Sequence, residues 1–442
     1  MKYHIWTAGC QMNVSDSLRT ASLLEKLGYQ STKKPANADV IILNTCVVRQ
    51  SAEDKAIGRL SSLRPLKEKN PDLVINLMGC LFGVRGNQKI QERFPWVDVF
   101  SPPSDPEPLI RFLINRDAKI ESEQKQEELN VILDEKLALP QQVQNKLVSA
   151  YIPIVLGCSH ACAYCIIPSR RGKERSRPYK EILAEAQQLV DQGVQELTLL
   201  GQIVDRYGLD LPEKSTLAKL LSDFHEIEGL KRLRFLTSHP NYMTEELLDA
   251  VATLPKVCEH IEVPIQAGDD AVLRAMRRGY ASDDYRRLVY KIREKIPGVS
   301  IATDIIVGFP GETEAQFQKT YDLLAELKMD VARLARYSPR HGTYSARMMN
   351  DNVPKEEKMR RFRALETLQE QIATEINAQL LGTTVNVLIE EKSRDRWRGR
   401  TRTNKLVFAE SDENLLGKEC DVTITWTGPW SLIGNVKHAA GS

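Results

Sequence analysis

The strongest constraint on the fold is the repeated alternation of short apolar segments with amphipathic helical segments. In the first hundred residues, strand signals at Tyr3–Ala8, Asp39–Thr45 and Asp72–Met78 are separated by segments in which leucine and alanine recur at helical spacing. Because continuous apolar runs of this kind suit strands covered on both faces, the pattern predicts an open parallel α/β sheet. We expect this α/β domain over residues 1–120.

A second βα series begins after a polar segment without clean periodicity, and residues 121–145 are therefore predicted to form a linker. Six further strand signals, separated by helical patterns, predict a partial (βα)6 TIM-like barrel over residues 146–378. Its active site is expected at the carboxyl ends of the strands. The six predicted strands are Tyr151–Leu156, Glu196–Leu200, Arg232–Leu236, His260–Pro264, Ser300–Val307 and Val331–Tyr337.

The pattern changes again after Gly382, where short segments of alternating polarity replace the βα units. Strand signals occur at Thr383–Glu390, Leu406–Ala409 and Glu419–Trp426. A segment of about 60 residues with this pattern is typical of a small independently folding β module. We therefore predict an all-β barrel over residues 379–442, and an overall α/β class with this appendage.

Charge and hydropathy argue against a uniformly basic nucleic-acid-binding protein and against a membrane or exported protein. The 442 residues contain 61 Lys and Arg against 59 Asp and Glu, a formal net charge of +2, so any basic surface for nucleic acid must be local. No apolar run reaches the ~20 residues that span a bilayer, and the first residues lack the basic-then-apolar pattern of an export signal. We expect a soluble cytoplasmic protein.

Three of the eight cysteines lie in one short loop, GCSHACAYC, as Cys158, Cys162 and Cys165. Zinc is a poor fit, because a structural zinc site has four protein ligands and no fourth is evident here. A [4Fe–4S] cluster held by three thiolates instead keeps one iron open. An open iron can chelate the amino and carboxylate groups of S-adenosylmethionine, whose cleavage generates a carbon radical. The spacing therefore indicates radical chemistry that a cofactor carries out.

A second set of three cysteines, Cys10, Cys46 and Cys80, follows the three predicted N-terminal strands one by one. The carboxyl ends of parallel strands share one sheet edge, where ligands bind, so these thiols are expected to meet there. Three unrelated core thiols are the alternative, since cysteine is commonly buried. Cys258 and Cys420 belong to neither set and are expected to pack as small apolar side chains.

The loop CSHACAYC, with the aromatic Tyr164 before its last cysteine, resembles the radical-SAM motif. Over nearly its whole length the chain resembles the radical-SAM methylthiotransferase family. The matching segments, in order, are GCQMNVSDS, NTCVVR, Gly79–Cys80, RRGKERSRP, LLGQ, TSHP, DIIVGFPGET and YSPR. Within the family, GCQMN and NTCVVR resemble the MiaB-type tRNA adenosine methylthiotransferases more than the RimO-type enzymes.

The resemblance implies two [4Fe–4S] clusters and a C-terminal TRAM β-barrel that binds RNA. One S-adenosylmethionine would serve as methyl donor and another as radical source. The substrate would be N6-isopentenyladenosine beside the tRNA anticodon, with the methylthio group placed on C2. The implied metal ligands are Cys158, Cys162 and Cys165 for the radical-generating cluster, and Cys10, Cys46 and Cys80 for a second cluster that receives the sulfur. The expected cofactor contacts are Tyr164, Gln202, Gln266 and Asp304.

The chain departs from the family pattern at a few strand ends. LLGQIVDRYG differs from the expected LLGQNVNxYG at Ile203 and Asp205. PIQAGDD differs from PVQSGSD at Ile265, Ala267 and Asp269. These positions bear on the details of substrate and cofactor contact more than on the class of reaction.

The segment Lys392–Lys405 carries seven basic residues against one acid and includes a tryptophan. A solvated charged hairpin is the ordinary explanation for such a run. Interleaved arginines and an aromatic residue on a small β-barrel favour phosphate contacts and base stacking. The predicted RNA-binding residues are Arg394, Arg396, Trp397, Arg398, Arg400, Arg402 and Lys405.

Three alternatives stay open on the sequence. A RimO-type enzyme would modify a ribosomal-protein aspartate, and an MtaB-type enzyme would act on threonylcarbamoyladenosine. A noncatalytic Fe–S protein that binds RNA would form no 5′-deoxyadenosine. For the principal interpretation we expect tRNA as substrate, a flavodoxin- or ferredoxin-like electron donor, and a monomer.

Overall fold

The computed structural model describes residues 1–116, 124–134 and 137–437 of the chain. It divides into two compact units. The first unit comprises Met1–Gln144, Tyr151–His160 and Cys165–Gln192, and the second comprises Asn145–Ala150, Ala161–Tyr164 and the chain from Gly193 onward. The predicted linker lies in part outside the described residues, at 121–123 and 135–136, so its boundaries stay predictions.

The first unit contains a five-stranded sheet of order β2-β1-β3-β4-β5 whose paired neighbours all run parallel. Its strands are β1 (Lys2–Thr7), β2 (Gln30–Ser31), β3 (Val40–Thr45), β4 (Val74–Gly79) and β5 (Val99–Ser101). Its helices are α1 (Gln11–Lys26), α2 (Gln50–Ser61), α3 (Arg64–Lys69), α4 (Gln88–Arg93), α5 (Glu107–Arg116) and α6 (Lys125–Asp134).

The central strands of this sheet are apolar because both of their faces are covered. Every residue of β3 and β4 is buried. Ile41 and Leu43 of β3 belong to one apolar core, whereas Val40 and Ile42 belong to the core on the opposite face. This alternation is what a parallel sheet packed between two layers of helices requires, and it confirms the predicted α/β class.

The segment that follows supplies the elements around the cysteine loop. These are β6 (Ser149–Pro153), β7 (Val155–Leu156), α7 (Ile167–Arg171), β8 (Arg175–Ser176) and α8 (Tyr179–Asp191). In the first unit, β7 and β8 pair antiparallel, so Val155 lies opposite Ser176. The single predicted strand Tyr151–Leu156 is therefore two strands, interrupted at Ile154.

The second unit contains the remaining βα repeats. Its strands are β9 (Glu196–Leu200), β10 (Arg232–Leu236), β11 (His260–Glu262), β12 (Ser300–Val307) and β13 (Val331–Arg336). Its helices are α9 (Leu217–His225), α10 (Glu245–Thr253), α11 (Asp270–Ala275), α12 (Ser282–Lys295), α13 (Glu314–Leu327), α14 (Tyr344–Met348) and α15 (Lys355–Ala378).

These strands form two parallel arcs joined by backbone hydrogen bonds. The orders are β10-β9-β6, where Ser149 and Ala150 of β6 belong to this unit, and β11-β12-β13. The Cys258 amide donates to the Leu233 carbonyl at 2.9 Å and connects the arcs. Five parallel strands with helical connections, preceded by the start of β6, agree with the predicted partial barrel.

The C-terminal module is a closed barrel of five strands in the order β14-β15-β16-β18-β17. They are β14 (Thr384–Ser393), β15 (Arg396–Thr401), β16 (Leu406–Glu410), β17 (Glu419–Thr427) and β18 (Leu432–Val436). The sequence predicts only three of them. It misses β15 because arginines fill the outward positions of that strand, and β18 because it is short and contains Gly434.

The small barrel docks on the βα repeats through two buried arginines of β10, and both partners belong to the second unit. Arg232, fully buried, donates to Glu419 at 2.9 Å, to the Arg400 carbonyl at 2.6 Å and to the Asn386 side-chain oxygen at 2.6 Å. Arg234 donates to the carbonyl oxygens of Thr401 and Arg402 at 2.8 and 2.7 Å. Cations in β10 thus satisfy backbone carbonyls of the barrel that docking removes from water.

Candidate functional site

The N-terminal cysteines lie where three adjacent parallel strands end. Cys10 caps α1 just after β1, while Cys46 and Cys80 directly follow β3 and β4. The sheet order makes β1, β3 and β4 neighbours, and the Cys80 amide donates to the Thr45 carbonyl at 3.0 Å. The three thiols therefore share one edge of the sheet, as the sequence predicts.

The backbone approaches closely around these thiols. Gly9 has a φ of +137°, and a Cβ added there would come within 2.6 Å of the Cys46 Cβ. Burial is the largest cause that raises the pKa of Cys46 to about 11, and the neighbouring Cys80 and Cys10 thiols contribute to that rise. The three thiols therefore act on one another electrostatically, as neighbouring ionisable groups do.

A buried guanidinium accompanies this set. Arg171, at the end of α7, lies beside Cys80 and donates to Ser104 at 3.2 Å. Its Nη2 is 3.8 Å from the Asp16 Oδ2, and neither atom has a hydrogen-bond partner in the described part of the chain. Burial raises the pKa of Cys80, and the charge of Arg171 opposes that rise. Unsatisfied buried polar atoms beside three thiols fit a site for a larger, charged group.

Within the described residues, no three His, Cys, Asp or Glu side chains are close enough to share one metal ion. A cubane cluster differs from a single ion, because its four irons occupy separate corners and its thiolate ligands lie correspondingly far apart. The all-sulfur donor set of Cys10, Cys46 and Cys80 suits iron–sulfur chemistry better than a hard divalent cation.

The second set of cysteines lies in the loop between β7 and α7. In the first unit, the Cys158 amide donates to the Gly172 carbonyl at 3.1 Å, and the His160 amide donates to the Cys158 Sγ at 3.4 Å. Gly157, with a φ of +70°, precedes them, and a Cβ there would come within 2.2 Å of the Lys173 carbonyl oxygen. Glycine is thus required where this loop begins.

Cys162 and its neighbours belong to the second unit, where a turn after α11 holds them. The Ala163 amide donates to the Met276 carbonyl at 2.9 Å, and the Ala163 carbonyl accepts from the Ser345 amide at 2.8 Å. Arg278, from the same turn as Met276, donates to the Cys162 Sγ at 3.3 Å. The predicted ligand is therefore fixed by backbone hydrogen bonds and by a buried cation.

The predicted cofactor residues of the barrel lie at strand ends or inside the barrel. Gln202 follows β9, and Gln266 lies beyond β11 with a φ of +78°, where its backbone bridges to β12. Asp304 lies on β12, and its carboxylate is 3.8 Å from Arg333 Nη1. That Nη1 also pairs with the buried Glu262 at 2.8 Å. Tyr164, in the cysteine loop, is partly buried.

Two charged groups at this site escape the sequence analysis. Glu262 occupies an apolar strand, and burial raises the pKa of its carboxyl while Arg333 opposes the rise. Its signal is an acid within the apolar run HIEVP. Arg278 lies in the helix-ending sequence MRRGY and carries no local signal that separates it from the exposed Arg277.

The predicted RNA-binding residues divide into three groups. Arg402 and Lys405 point into the docked interface, where Arg402 pairs with Glu259 at 2.6 Å and Lys405 with Asp330 at 2.8 Å. Three others lie on the outer face of the small barrel with acidic partners. These pairs are Arg396–Glu410 at 2.9 Å, Arg398–Glu391 at 3.0 Å and Arg400–Glu390 at 3.8 Å. Arg394 is exposed in the hairpin turn.

Trp397 does not face solvent. It is 6% exposed, packs in the apolar core of the small barrel, and its indole N–H donates to the Ser411 carbonyl at 3.1 Å. The exposed tryptophans are Trp426 and Trp430, at 49% and 56% exposure. Cross-strand register aligns Trp426 with Ile433, Phe408 and Arg398 across the barrel. The sequence-based prediction misses Trp426 because it considers only the aromatic residue within the basic segment Lys392–Lys405.

None of the helices in the described part of the chain is both long enough and apolar enough to cross a membrane.

Three family models match the chain in succession. "Uncharacterized protein family UPF0004" matches residues 2–101, "Radical SAM superfamily" matches residues 152–324, and "TRAM domain" matches residues 378–437. Among solved structures, the radical S-adenosylmethionine methyltransferase TsrM from Kitasatospora setae aligns at a TM-score of 0.53. That alignment is 14% identical and covers 76% of this chain and 72% of the other, so it supports the fold alone.

Curated relatives match over nearly the full length. The tRNA-2-methylthio-N(6)-dimethylallyladenosine synthase of Roseiflexus sp. (strain RS-1) is 47% identical over 98% of this chain and 89% of its own. The enzyme of that name from Herpetosiphon aurantiacus is 46% identical over 98% of this chain and 97% of its own. These alignments span all three modules of this chain, which therefore belongs to the family of the tRNA-2-methylthio-N(6)-dimethylallyladenosine synthases.

Proposed function

We propose that this chain is a radical-SAM methylthiotransferase that places a methylthio group on C2 of N6-isopentenyladenosine next to the anticodon of tRNA. This proposal rests mainly on the sequence identity, over nearly the full length, to enzymes named for that product. The three cysteines at the ends of three adjacent strands support it. The same relatedness favours this substrate over the RimO-type and MtaB-type alternatives. A Radical SAM domain also argues against a noncatalytic role.

The cofactors follow at two levels of detail. Membership of the radical-SAM superfamily implies a [4Fe–4S] cluster and S-adenosylmethionine. We further propose two clusters, one held by Cys158, Cys162 and Cys165, and one by the three N-terminal cysteines. When bound, they supply the electron that cleaves S-adenosylmethionine and the sulfur that is transferred.

The protein's own side chains would position these groups. At the sheet edge, Cys46 and Cys80 would provide buried soft ligands and Cys10 an exposed one, and Arg171 would balance their negative charge. In the barrel, Glu262, Arg333 and Asp304 form a polar group suited to the amino and ribose groups of S-adenosylmethionine, with Gln202 and Gln266 at strand ends nearby in the fold. Tyr164 would lie beside the cofactor as part of the cysteine loop.

We propose the outer face of the small barrel as the surface that binds tRNA. Arg396 and Arg398 lie there, Arg394 extends from the adjoining turn, and the exposed Trp426 shares a row with Arg398. Their acidic partners are themselves exposed, so phosphates can compete for these arginines at little cost. Trp426 can offer a ring face to an unstacked base, which the buried Trp397 cannot.

Mass spectrometry of the modified tRNA tests the reaction directly. Anaerobically reconstituted protein, with S-adenosylmethionine and dithionite, should add one methylthio group to tRNA that carries N6-isopentenyladenosine. The matched substrate control is the same tRNA without the isopentenyl group. An unchanged mass of the isopentenylated tRNA, with 5′-deoxyadenosine still formed, would refute the substrate assignment.

Iron counting tests the two-cluster proposal separately. We expect about eight irons per chain, and about four after either cysteine set is replaced by alanine, because each cubane contains four irons. Cys420→Ala is the matched control, since this thiol is buried in the small-barrel core. About four irons in the unaltered chain, lost entirely with Cys158, Cys162 and Cys165, would show a single cluster.

A further inference from the structure

The turn after α11 directs an arginine back into the barrel. Arg277 and Gly279 both have positive φ, +60° and +75°, and the Arg278 amide donates to the Leu273 carbonyl at 3.0 Å. These angles reverse the chain directly after the helix, so that Arg277 is exposed while Arg278 is 6% exposed. The local backbone is thus shaped to bury one of two consecutive arginines.

Three groups hold the guanidinium of Arg278 in a fixed orientation. Its Nε donates to the Tyr280 hydroxyl at 2.9 Å, its Nη2 to the Pro264 carbonyl at 3.3 Å, and its Nη1 to the Cys162 Sγ at 3.3 Å. The Tyr280 hydroxyl in turn donates to backbone carbonyls, that of Ile265 at 2.7 Å among them. The N–H that points at sulfur is therefore positioned by neutral neighbours.

Among the described residues, no carboxylate forms an ion pair with Arg278. Tyr164, Tyr280 and Cys162 are the neighbouring groups that act most strongly on its charge. A buried cation without a counterion costs several kcal/mol, whereas Arg232, Arg234 and Arg361, which are also buried in this unit, pair with Glu419, Glu196 and Glu312. An anion is expected at the one remaining side, where Cys162 lies.

We propose that Arg278 is a positioning residue that stabilises the reduced form of the cluster bound through Cys162. The inference rests on the proposed binding of a cluster by Cys158, Cys162 and Cys165. A cubane with three thiolate ligands carries net negative charge, and that charge grows when one electron arrives from a flavodoxin- or ferredoxin-type donor. A fixed positive charge and an N–H···S hydrogen bond therefore favour the reduced state and raise its reduction potential.

The potential can be measured on one cluster alone. In a chain whose Cys10, Cys46 and Cys80 are alanine, redox titration followed by electron paramagnetic resonance reports the barrel cluster. Arg278→Gln should lower its midpoint so that the one-electron equilibrium shifts at least tenfold toward the oxidised form, which corresponds to 59 mV. Arg278→Lys retains the charge and should recover most of the shift.

Arg274→Gln is the matched control, because Arg274 is an exposed arginine of α11, the helix that precedes the turn. It should leave the midpoint unchanged. An unaltered midpoint in Arg278→Gln, with normal iron content, would overturn the inference. If the chain that retains Arg278 binds no iron or forms no 5′-deoxyadenosine, the proposed function is wrong. That result differs from an unaltered midpoint in Arg278→Gln, which contradicts only the role of Arg278.

A second measurement covers the case in which Arg278→Gln does not retain its cluster. Protein labelled with 15N-guanidinium arginine, reduced and examined by pulsed electron paramagnetic resonance, should show a nitrogen coupling to the cluster. That coupling should disappear in Arg278→Lys and persist in Arg274→Gln. A reduced, iron-loaded chain without any 15N coupling would overturn the inference, because a purely structural arginine has no contact with the cluster.

Discussion

Replacing Arg232 by methionine tests how the small barrel is held on the βα repeats. Arg232 is fully buried and donates to Glu419, to the Arg400 carbonyl and to both oxygens of Asn386. Methionine keeps most of the volume but removes this donor from the Arg400 and Asn386 carbonyl oxygens at a partly buried contact.

The size of the effect follows from these contacts. Each buried acceptor that loses its donor costs about 1–3 kcal/mol. The ion pair with Glu419 adds little, because that carboxylate is 33% exposed and solvent screens it. We therefore expect Arg232→Met to lower the free energy of opening of the small barrel by about 3 kcal/mol, or roughly a 150-fold change in the opening equilibrium.

Hydrogen exchange of the β14 and β15 amides measures that opening directly. Lys231→Met is the matched control, because Lys231 is the exposed neighbour and makes only a 3.5 Å contact to the Gly417 carbonyl. Its effect should stay within about 0.5 kcal/mol. A loss below about 1 kcal/mol in Arg232→Met would refute the view that β10 arginines fix the barrel in place.

Three further outcomes are expected. Burial holds the pKa of His260 well below its ordinary value, so the unfolded chain binds a proton at a higher pH than the folded chain does. The free energy of unfolding should therefore fall as the pH drops below about 6.5. Acid unfolding measures this dependence, which His260→Gln should remove. Trp397→Ala should destabilise the small barrel by about 3–5 kcal/mol in urea unfolding while Trp430→Ala has little effect, and equal losses would contradict the burial difference. Burial raises the pKa of Asp269, but the hydrogen bond from Lys319 outweighs burial and holds this pKa below its ordinary value. The ionised Asp269 therefore stabilises the fold above the ordinary carboxyl range, and this stabilisation is lost in acid. Asp269→Asn should flatten the dependence of stability on pH between about pH 2 and 5, and an unchanged dependence would contradict this role.

Strand positions were predictable where nearly all residues of a strand are buried. Glu196–Leu200, Arg232–Leu236 and Ser300–Val307 have the predicted bounds, and β3 differs from its predicted range by one residue. Strands with one solvated face carry a weaker signal, which explains why β15 with its outward arginines was missed.

Predictability of the candidate site has a different limit. Cysteine spacing indicates both sets of thiols, since three lie in one short loop and three follow parallel strands whose ends share an edge. The charge of an arginine or lysine, however, does not show which groups its side chain contacts. The basic run predicts phosphate contacts for Arg402 and Lys405, whereas their side chains pair with Glu259 and Asp330 in the docked interface. Asp205, a departure from the family pattern, accepts from the His239 amide at 2.9 Å and so serves the turn.

The two cysteine sets share a feature that only three-dimensional structure reveals, which is a buried arginine against one thiol of each. The two arginines differ in their surroundings. Arg171 beside Cys80 has the Asp16 carboxyl 3.8 Å away, which offsets part of its charge, whereas Arg278 beside Cys162 has no carboxylate partner in the described residues. Because an uncompensated cation stabilises added negative charge more than a compensated one, Arg278 should favour electron uptake more strongly than Arg171 does. The fold thereby directs the stronger electrostatic stabilisation to the cysteine loop that we propose as the site of S-adenosylmethionine cleavage.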